Sequence, residues 1–148
     1  MSKSVVSPAW GWLGISEVSQ EDGVAVVEMT PTGDMANSMG LVHGGMISAL
    51  ADSAMGRALR TIKPDVVRSM SFDLKLSFIS AAKVGETLRA TGRVVHGGRR
   101  TAVTECRVEV APSPAPPGER GGPRLVATAS ATFAITREKG ITRGSNAD

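Results

Sequence analysis

Residues Leu41 to Leu59 read L-V-H-G-G-M-I-S-A-L-A-D-S-A-M-G-R-A-L. Apolar residues recur in this stretch at intervals of three and four, which is the spacing of one face of an α-helix. The residues on that face are Met46, Ile47, Leu50, Ala51, Ala54, Met55, Ala58 and Leu59. The pattern predicts a long amphipathic helix that follows His43, Gly44 and Gly45, with the rest of the chain packed around it.

The predicted helix starts with two glycines, Gly44 and Gly45. The first N–H groups of a helix have no partner within the helix, and a Ser, Thr, Asp or Asn side chain usually accepts hydrogen bonds from them. This sequence offers no such capping side chain, so the free N–H groups and the helix dipole favour an anion or a polarised carbonyl oxygen. The alternative is a turn that only uses the backbone freedom of glycine.

Asp52 lies in the middle of the predicted helix, on the flank of its apolar face. At 1.5 Å per residue it is about 12 Å from Gly44 along the helix axis, too far to act on a carbonyl group held at Gly44. Two antiparallel copies of the helix would place Asp52 of one copy beside Gly44 of the other. A site that uses both residues therefore lies between two subunits. The alternative is that Asp52 is solvated or pairs with Arg57.

Alternating or β-rich runs predict strands at 23–29, 69–80, 87–95, 101–111 and 125–136. The alternation is clearest in the second run, where one face is expected to carry Met70, Phe72, Leu74, Leu76 and Phe78. One helix and about five antiparallel strands predict a single α+β domain over residues 1–148, in which the sheet wraps the helix. Pairing of two copies would cover the exposed edges of such a sheet.

Three segments are expected to lie outside this core. Residues 1–14 form a lead-in, with a helical turn whose two tryptophans cover an exposed sheet edge. Residues 112–123 are rich in proline and glycine, and we predict an exposed loop that carries Arg120 and Arg124. Residues 137–148 are polar and predict a tail.

The composition argues against several classes of protein. Aromatic residues make up 3% of the chain and Tyr is absent, which argues against a stacking surface for nucleic acid. The net charge of +3 is mild. One cysteine, Cys106, allows no internal disulfide and predicts a cytoplasmic protein with a buried, inert thiol. Two histidines and one cysteine do not suggest a metal site, and no apolar run is long enough to span a membrane.

Further features occur in a fixed order along the chain: Asn37, the triplet His43-Gly44-Gly45, Asp52, Ser71 and the run S-A-A-K-V-G-E at 80–86. In this set the sequence resembles the hotdog-fold acyl-CoA thioesterases, and within them the phenylacetate-degradation branch, over about residues 23–136. The resemblance implies a long helix wrapped by an antiparallel sheet of about five to six strands. It also implies homodimers or homotetramers with active sites at the dimer interface, and hydrolysis of acyl-CoA without a metal or bound cofactor.

The resemblance also implies roles for individual residues. The Gly44 N–H, assisted by Asn37, would stabilise the thioester oxygen. Asp52 of the partner subunit would be the general base for water or the attacking nucleophile, two roles that the sequence does not separate. Ser71 would orient the water or the carboxylate, unless it is a plain surface serine. His43 is expected to position the Gly44 turn rather than to transfer protons.

A second glycine-rich stretch could bind the phosphates of coenzyme A. Gly97, Gly98, Arg99 and Arg100 form a predicted hairpin turn with adjacent guanidinium groups, which suit bidentate contacts to phosphate. These four residues, with His43 and Gly45, are the expected substrate-binding set. The alternative for the turn is a solvated hairpin tip.

Two other functions remain open at the level of sequence. One is a non-catalytic hotdog protein that binds acyl-CoA as a ligand sensor, against which the presence of both Asp52 and Asn37 argues. The other is the dehydratase branch of the fold, which requires a catalytic histidine in the reaction centre. His43 precedes the helix, with a carboxylate two turns into it, and does not suit that role.

Overall fold

A computed structural model describes residues 7–114, 117–118 and 122–137 of the 148-residue chain. Its elements, in chain order, are α1 (Pro8–Leu13), β1 (Ser16–Glu21), β2 (Val24–Met29), a 3₁₀ turn (Gly33–Met35), α2 (Gly44–Ile62), β3 (Val66–Phe78), β4 (Leu88–Gly97), β5 (Thr101–Val110) and β6 (Arg124–Arg137). The predicted helix and all five predicted strands are present, with ends shifted by up to three residues.

The strands form one antiparallel sheet in the order β1-β2-β4-β5-β6-β3. Helix α2 contacts every strand of this sheet. Its buried residues are Ile47, Leu50, Ala51, Ala54, Met55, Ala58 and Leu59, all from the predicted apolar face. The α+β architecture expected from the sequence, a sheet around one long helix, is confirmed.

Gly92 sets how closely β4 approaches α2. It is buried, and a Cβ at this position would stand 2.5 Å from the backbone carbonyl carbon and oxygen of Ala54. No side chain fits into that space. The contact fixes the height of α2 above the sheet, and with it the position of the residues at the start and middle of the helix.

Strand β1 is absent from the sequence-based prediction. Its six residues, S-E-V-S-Q-E, are all exposed, and they pair with β2 at one edge of the sheet. A polar strand that buries neither face shows no hydrophobic period. The pattern therefore gave no signal for it.

The prediction that β3 presents one apolar face is wrong, because its register with β6 shifts between Ser71 and Asp73. Ser71 lies opposite Phe133 and Leu74 lies opposite Ala131, and both of these β6 residues are buried. The shift inserts one residue, so the side chains that face the helix change from odd to even positions along β3. Ser71 is thereby turned towards α2.

Strand β3 is an edge of the sheet and carries exposed apolar side chains. Met70 is 69% exposed, Phe72 64%, Phe78 55%, and Ile79, just beyond the strand, 58%. An edge strand presents unpaired backbone groups to any further strand. In the described part of the chain, no other segment carries as many exposed apolar side chains close together in sequence as this edge does.

Other expectations about the flanking segments also change. Trp10 does not cover a sheet edge but packs against α2, and Trp12 is 75% exposed. Arg124 and Arg137 belong to β6 rather than to the loop and the tail. Residues 115–116, 119–121 and 138–148, which include Arg120, lie outside the described residues.

The two remaining structural expectations concern the thiol and the membrane. Cys106 is buried, as predicted, and burial raises the pKa of its thiol to about 12. In the part of the chain that the structure describes, no helix has the length and apolar character needed to cross a membrane.

Candidate active site

The N-terminus of α2 is capped, contrary to the prediction. His43 is the N-cap residue, and its Nδ1 accepts a hydrogen bond of 2.8 Å from the Gly45 N–H. The Met46 N–H donates to the His43 carbonyl at 2.9 Å. Within residues 7–114, 117–118 and 122–137, the Gly44 N–H donates no hydrogen bond. The cap leaves one free donor at the positive end of the helix, and His43 positions this turn, as expected from the sequence.

Asn37 shapes the loop that precedes α2. Its Oδ1 accepts hydrogen bonds from the N–H groups of Met39, at 2.9 Å, and Leu41, at 3.1 Å. With the oxygen turned towards these two backbone donors, the Nδ2 group of Asn37 is left as a donor. Asn37 and Gly44 line one cavity of about 340 Å³, here called the Gly44 cavity. The structure therefore brings these two predicted residues together.

The segment 79–82 also lines the Gly44 cavity, and hydrogen bonds hold it in place at both ends. At its start, the Ile79 N–H donates to the Val126 carbonyl at 2.8 Å. The Val42 N–H donates to the Ala82 carbonyl at 2.9 Å. Arg124 donates to the Ala81 carbonyl at 3.0 Å and to Glu86 at 2.8 Å. Partial burial alone would raise the pKa of Glu86. Hydrogen bonds from Arg124 and from the Lys83 N–H, with the charges of both side chains, outweigh this effect and lower the pKa below its ordinary value.

Asp52 is half-buried, and its Oδ1 has no hydrogen-bond partner in the described part of the chain. It does not pair with Arg57, whose Nε lies 2.8 Å from Glu17 instead. A buried carboxylate oxygen without a partner is costly, and native proteins keep such groups mainly where a ligand or water completes them. The alternative in which Asp52 pairs with Arg57 is therefore wrong.

Asp52 and Ser71 line a second cavity of about 540 Å³, here called the Asp52 cavity. Ser71 is half-buried, so it is not a plain surface serine. The cavity lies between α1, α2, β3 and Phe133 of β6. A carboxylate and a hydroxyl group on adjoining elements can together hold and orient a water molecule.

The Gly44 cavity and the Asp52 cavity share no lining residue. Gly44 and Asp52 are separated by about 12 Å along α2, as the sequence predicts. One protomer thus carries both halves of the expected machinery but does not bring them together. A site shared between two subunits stays a prediction.

The glycine-arginine turn lies at the far end of the same helix. A Cβ on Gly97 would meet the Cδ1 of Ile62, the last residue of α2, at 3.1 Å. The helix separates this turn from Gly44 by about 27 Å. Arg99 and Arg100 are exposed, so within one protomer they do not meet a substrate at Gly44. Gly98 closes the turn by donating to the Thr101 carbonyl at 2.9 Å.

Among the residues that the structure describes, no group of three His, Cys, Asp or Glu side chains is placed to hold a metal ion.

A long helix wrapped by a six-stranded antiparallel sheet is the architecture of the hotdog class of proteins. A family model described as the thioesterase superfamily matches residues 39–114, more than half of the chain. The chain belongs to this family, and the resemblance stated from the sequence is confirmed.

Known relatives and solved structures agree with this assignment. The acyl-coenzyme A thioesterase PaaI of Escherichia coli is 35% identical over 96 residues, which cover 65% of this chain and 66% of that protein, slightly less than two thirds of its length. The 1,4-dihydroxy-2-naphthoyl-CoA hydrolase of Listeria monocytogenes is 30% identical over 97 residues, which cover 65% of this chain and 77% of that enzyme. A conserved protein from Pseudomonas aeruginosa superposes with a TM-score of 0.75 and 32% identity, covering 88% of this chain and 95% of that one.

Proposed function

We propose that this protein hydrolyses acyl-CoA thioesters to the free acid and coenzyme A, in sites shared between two copies of the chain. The observation that carries the proposal is the buried, unpartnered Oδ1 of Asp52 in a cavity with Ser71. The free Gly44 N–H beside Asn37 supplies the second element. Relatives that are named acyl-coenzyme A thioesterase and naphthoyl-CoA hydrolase support the same substrate class.

In the proposed reaction, the thioester oxygen accepts hydrogen bonds from the Gly44 N–H and the Asn37 amide. The negative charge that develops on this oxygen during attack is stabilised by these donors and by the positive end of the α2 dipole. Both donors are fixed before substrate arrives, Asn37 by its two hydrogen bonds within the loop and Gly44 by the His43 cap.

Asp52 of the partner subunit acts on the same carbonyl group. As a general base, it takes a proton from water while the water oxygen attacks the carbonyl carbon; the C–S bond then breaks, and the proton passes to the departing sulfur. As a nucleophile, its carboxylate attacks directly, the C–S bond breaks, and a thiolate leaves as an anhydride forms. Water then hydrolyses the anhydride to the free acid and the Asp52 carboxylate, with one proton passing to the thiolate. In either route Ser71 orients the carboxylate or the water.

The shared site requires a dimer, and the edge strand β3 supports one. It presents a row of backbone groups with no neighbouring strand in the described chain, together with the exposed apolar side chains of Met70 and Phe72. Pairing of two β3 edges would satisfy the backbone groups, bury the apolar side chains and bring two copies of α2 side by side. The Arg99-Arg100 turn of each copy would then serve coenzyme A bound in the site of the other.

The experiment compares Asp52→Asn with Glu105→Gln, a control on the exposed side of β5. Release of free thiol from acyl-CoA is expected to fall by about 10²–10⁴-fold in Asp52→Asn and to stay unchanged in Glu105→Gln. Asp52→Asn should still fold and bind acyl-CoA, because the replaced oxygen has no partner to lose. Wild-type turnover in Asp52→Asn would remove this residue from the chemistry. Binding without hydrolysis by the wild-type protein would instead identify a non-catalytic acyl-CoA-binding protein.

A further inference from the structure

We infer that Trp10 of α1 sets the upper size limit of the acyl group that the Asp52 cavity accepts. This inference rests on the proposed function, because it assigns the Asp52 cavity to the acyl part of the substrate. Trp10 lines that cavity together with Asp52, Ser71 and Phe133. An acyl group that enters beside the carboxylate and extends along the helix is bounded by the indole.

The indole is held by polar contacts as well as by packing. Its Nε1–H donates to the Oγ of Ser53 at 3.0 Å, and the guanidinium carbon of Arg57 lies 4.8 Å from the ring centroid. Arg57 is itself fixed by the ion pair with Glu17 of β1. A cation over an aromatic face and a hydrogen-bonded indole N–H both favour one ring position.

Helix α1 is anchored to the rest of the domain as well. The Trp10 carbonyl accepts a hydrogen bond of 2.9 Å from the Ile15 N–H. Leu13 and Ile15 are buried in the core at 6% and 7% exposure. The chain then enters β1 directly, at Ser16. These contacts make α1 a fixed wall of the cavity rather than a loose flap.

Gly56 of α2 lines the same cavity, and a Cβ at this position would stand 3.5 Å from the Phe133 ring, in ordinary van der Waals contact. The cavity volume of about 540 Å³ lies in the range of small-molecule sites. The cavity thus has room for an acyl group, and the indole in its wall limits how far that group extends. Each further CH₂ that finds apolar surroundings strengthens binding by about fourfold.

The experiment uses a series of saturated acyl-CoAs of increasing chain length, with Trp10→Ala and the matched control Trp12→Ala. Trp12 is on the same short helix, is 75% exposed and does not line the cavity. Trp10→Ala is expected to shift the optimum of kcat/KM to longer chains and to raise the long-to-short ratio by at least about tenfold, the gain from two further CH₂ groups. Trp12→Ala should leave the ratio unchanged. An unchanged ratio in Trp10→Ala, or an equal change in Trp12→Ala, would overturn the inference.

Two additions keep the result interpretable. If Trp10→Ala does not fold, Trp10→Phe keeps a ring of smaller size and should shift the optimum in the same direction by less; no shift would refute the inference. Dissociation constants for the same series, measured in the Asp52→Asn background, report the size limit without turnover. A wild-type protein that hydrolyses no acyl-CoA would refute the proposed function, while the dependence of these constants on chain length would still decide the role of Trp10.

Discussion

The Gly44 N–H can be removed while the helix is kept. Gly44 is the first residue of α2, the position at which proline is best accepted in a helix, since its missing N–H has no partner within the helix. His43, which precedes it, has φ −64° and ψ 134°, an extended conformation that suits a residue before proline. Gly44→Pro therefore deletes one donor with little cost to the fold.

Gly44→Ala is the matched control, because it adds a Cβ and retains the N–H. In both variants the new carbon meets the Phe78 ring, which lies 3.1 Å from an ideal Cβ and is exposed enough to move aside. The two variants then differ at the backbone nitrogen, where Gly44→Ala keeps the N–H and Gly44→Pro replaces it with the ring Cδ. Loss of one donor to a developing oxyanion costs about 2.7–4 kcal/mol, or about 10²–10³-fold in kcat.

The assay follows thiol release from acyl-CoA under saturating substrate, with circular dichroism to confirm that α2 is intact. We expect Gly44→Ala to retain most of the wild-type kcat and Gly44→Pro to lose the full factor. Equal kcat values in two folded variants would refute the assignment of the Gly44 N–H as a donor to the thioester oxygen.

Two further predictions concern stability. Gly92→Ala forces a Cβ against the Ala54 carbonyl, and urea titrations should show a free energy of unfolding lower by about 3 kcal/mol or more. Gly11→Ala is the control, because a Cβ there meets nothing within 4 Å and should not destabilise the fold. Equal stability of the two variants would contradict the packing described. The pKa of Glu86 is lowered from its ordinary value of 4.5 in the folded state, so its contact with Arg124 stabilises the fold above that pH and the contribution is lost as pH falls through the folded-state pKa. Glu86→Gln should accordingly lower the urea midpoint at neutral pH but not in acid, and a deficit that persists in acid would show that the charge is not responsible.

The long helix and the strands of the central sheet could be predicted because their patterns are regular. The apolar spacing from Met46 to Leu59 allowed only one helical face, and that face is buried. The rise per residue of an α-helix also gives the separation of Gly44 and Asp52 from the sequence alone. Local patterns thus placed Gly44 and Asp52 correctly along the helix.

Features that depend on tertiary contacts could not be predicted. In β3 the helix-facing side chains change from odd to even positions because one residue has no partner on β6. A prediction from alternating residues assumes that no such bulge occurs. The cap by His43 was missed because histidine is not among the usual capping residues. The position of Trp10 depends on how α1 folds back onto α2, over contacts that join residues 43 positions apart. No local signal reports that distance.

The cavities also depend on the fold. Asn37 and Gly44 line one cavity because the loop between them is closed by hydrogen bonds within the loop and to Ala82. Ser71 lines the same cavity as Asp52 because the register shift turns it towards the helix. The order of Asn37, Gly44, Asp52 and Ser71 along the sequence indicates that they act together. Their division between two cavities depends on contacts between distant parts of the chain.

A complementation measurement tests the shared site most directly. Gly44→Pro and Asp52→Asn chains, each inactive alone, are mixed under conditions that let subunits exchange, and thiol release is measured. In a mixed dimer one site carries both substitutions, and the other pairs an intact Gly44 with an intact Asp52. With random exchange the account predicts recovery to about a quarter of the wild-type rate, from one working site in half of the dimers. A mixture that exchanges subunits and stays inactive would contradict it.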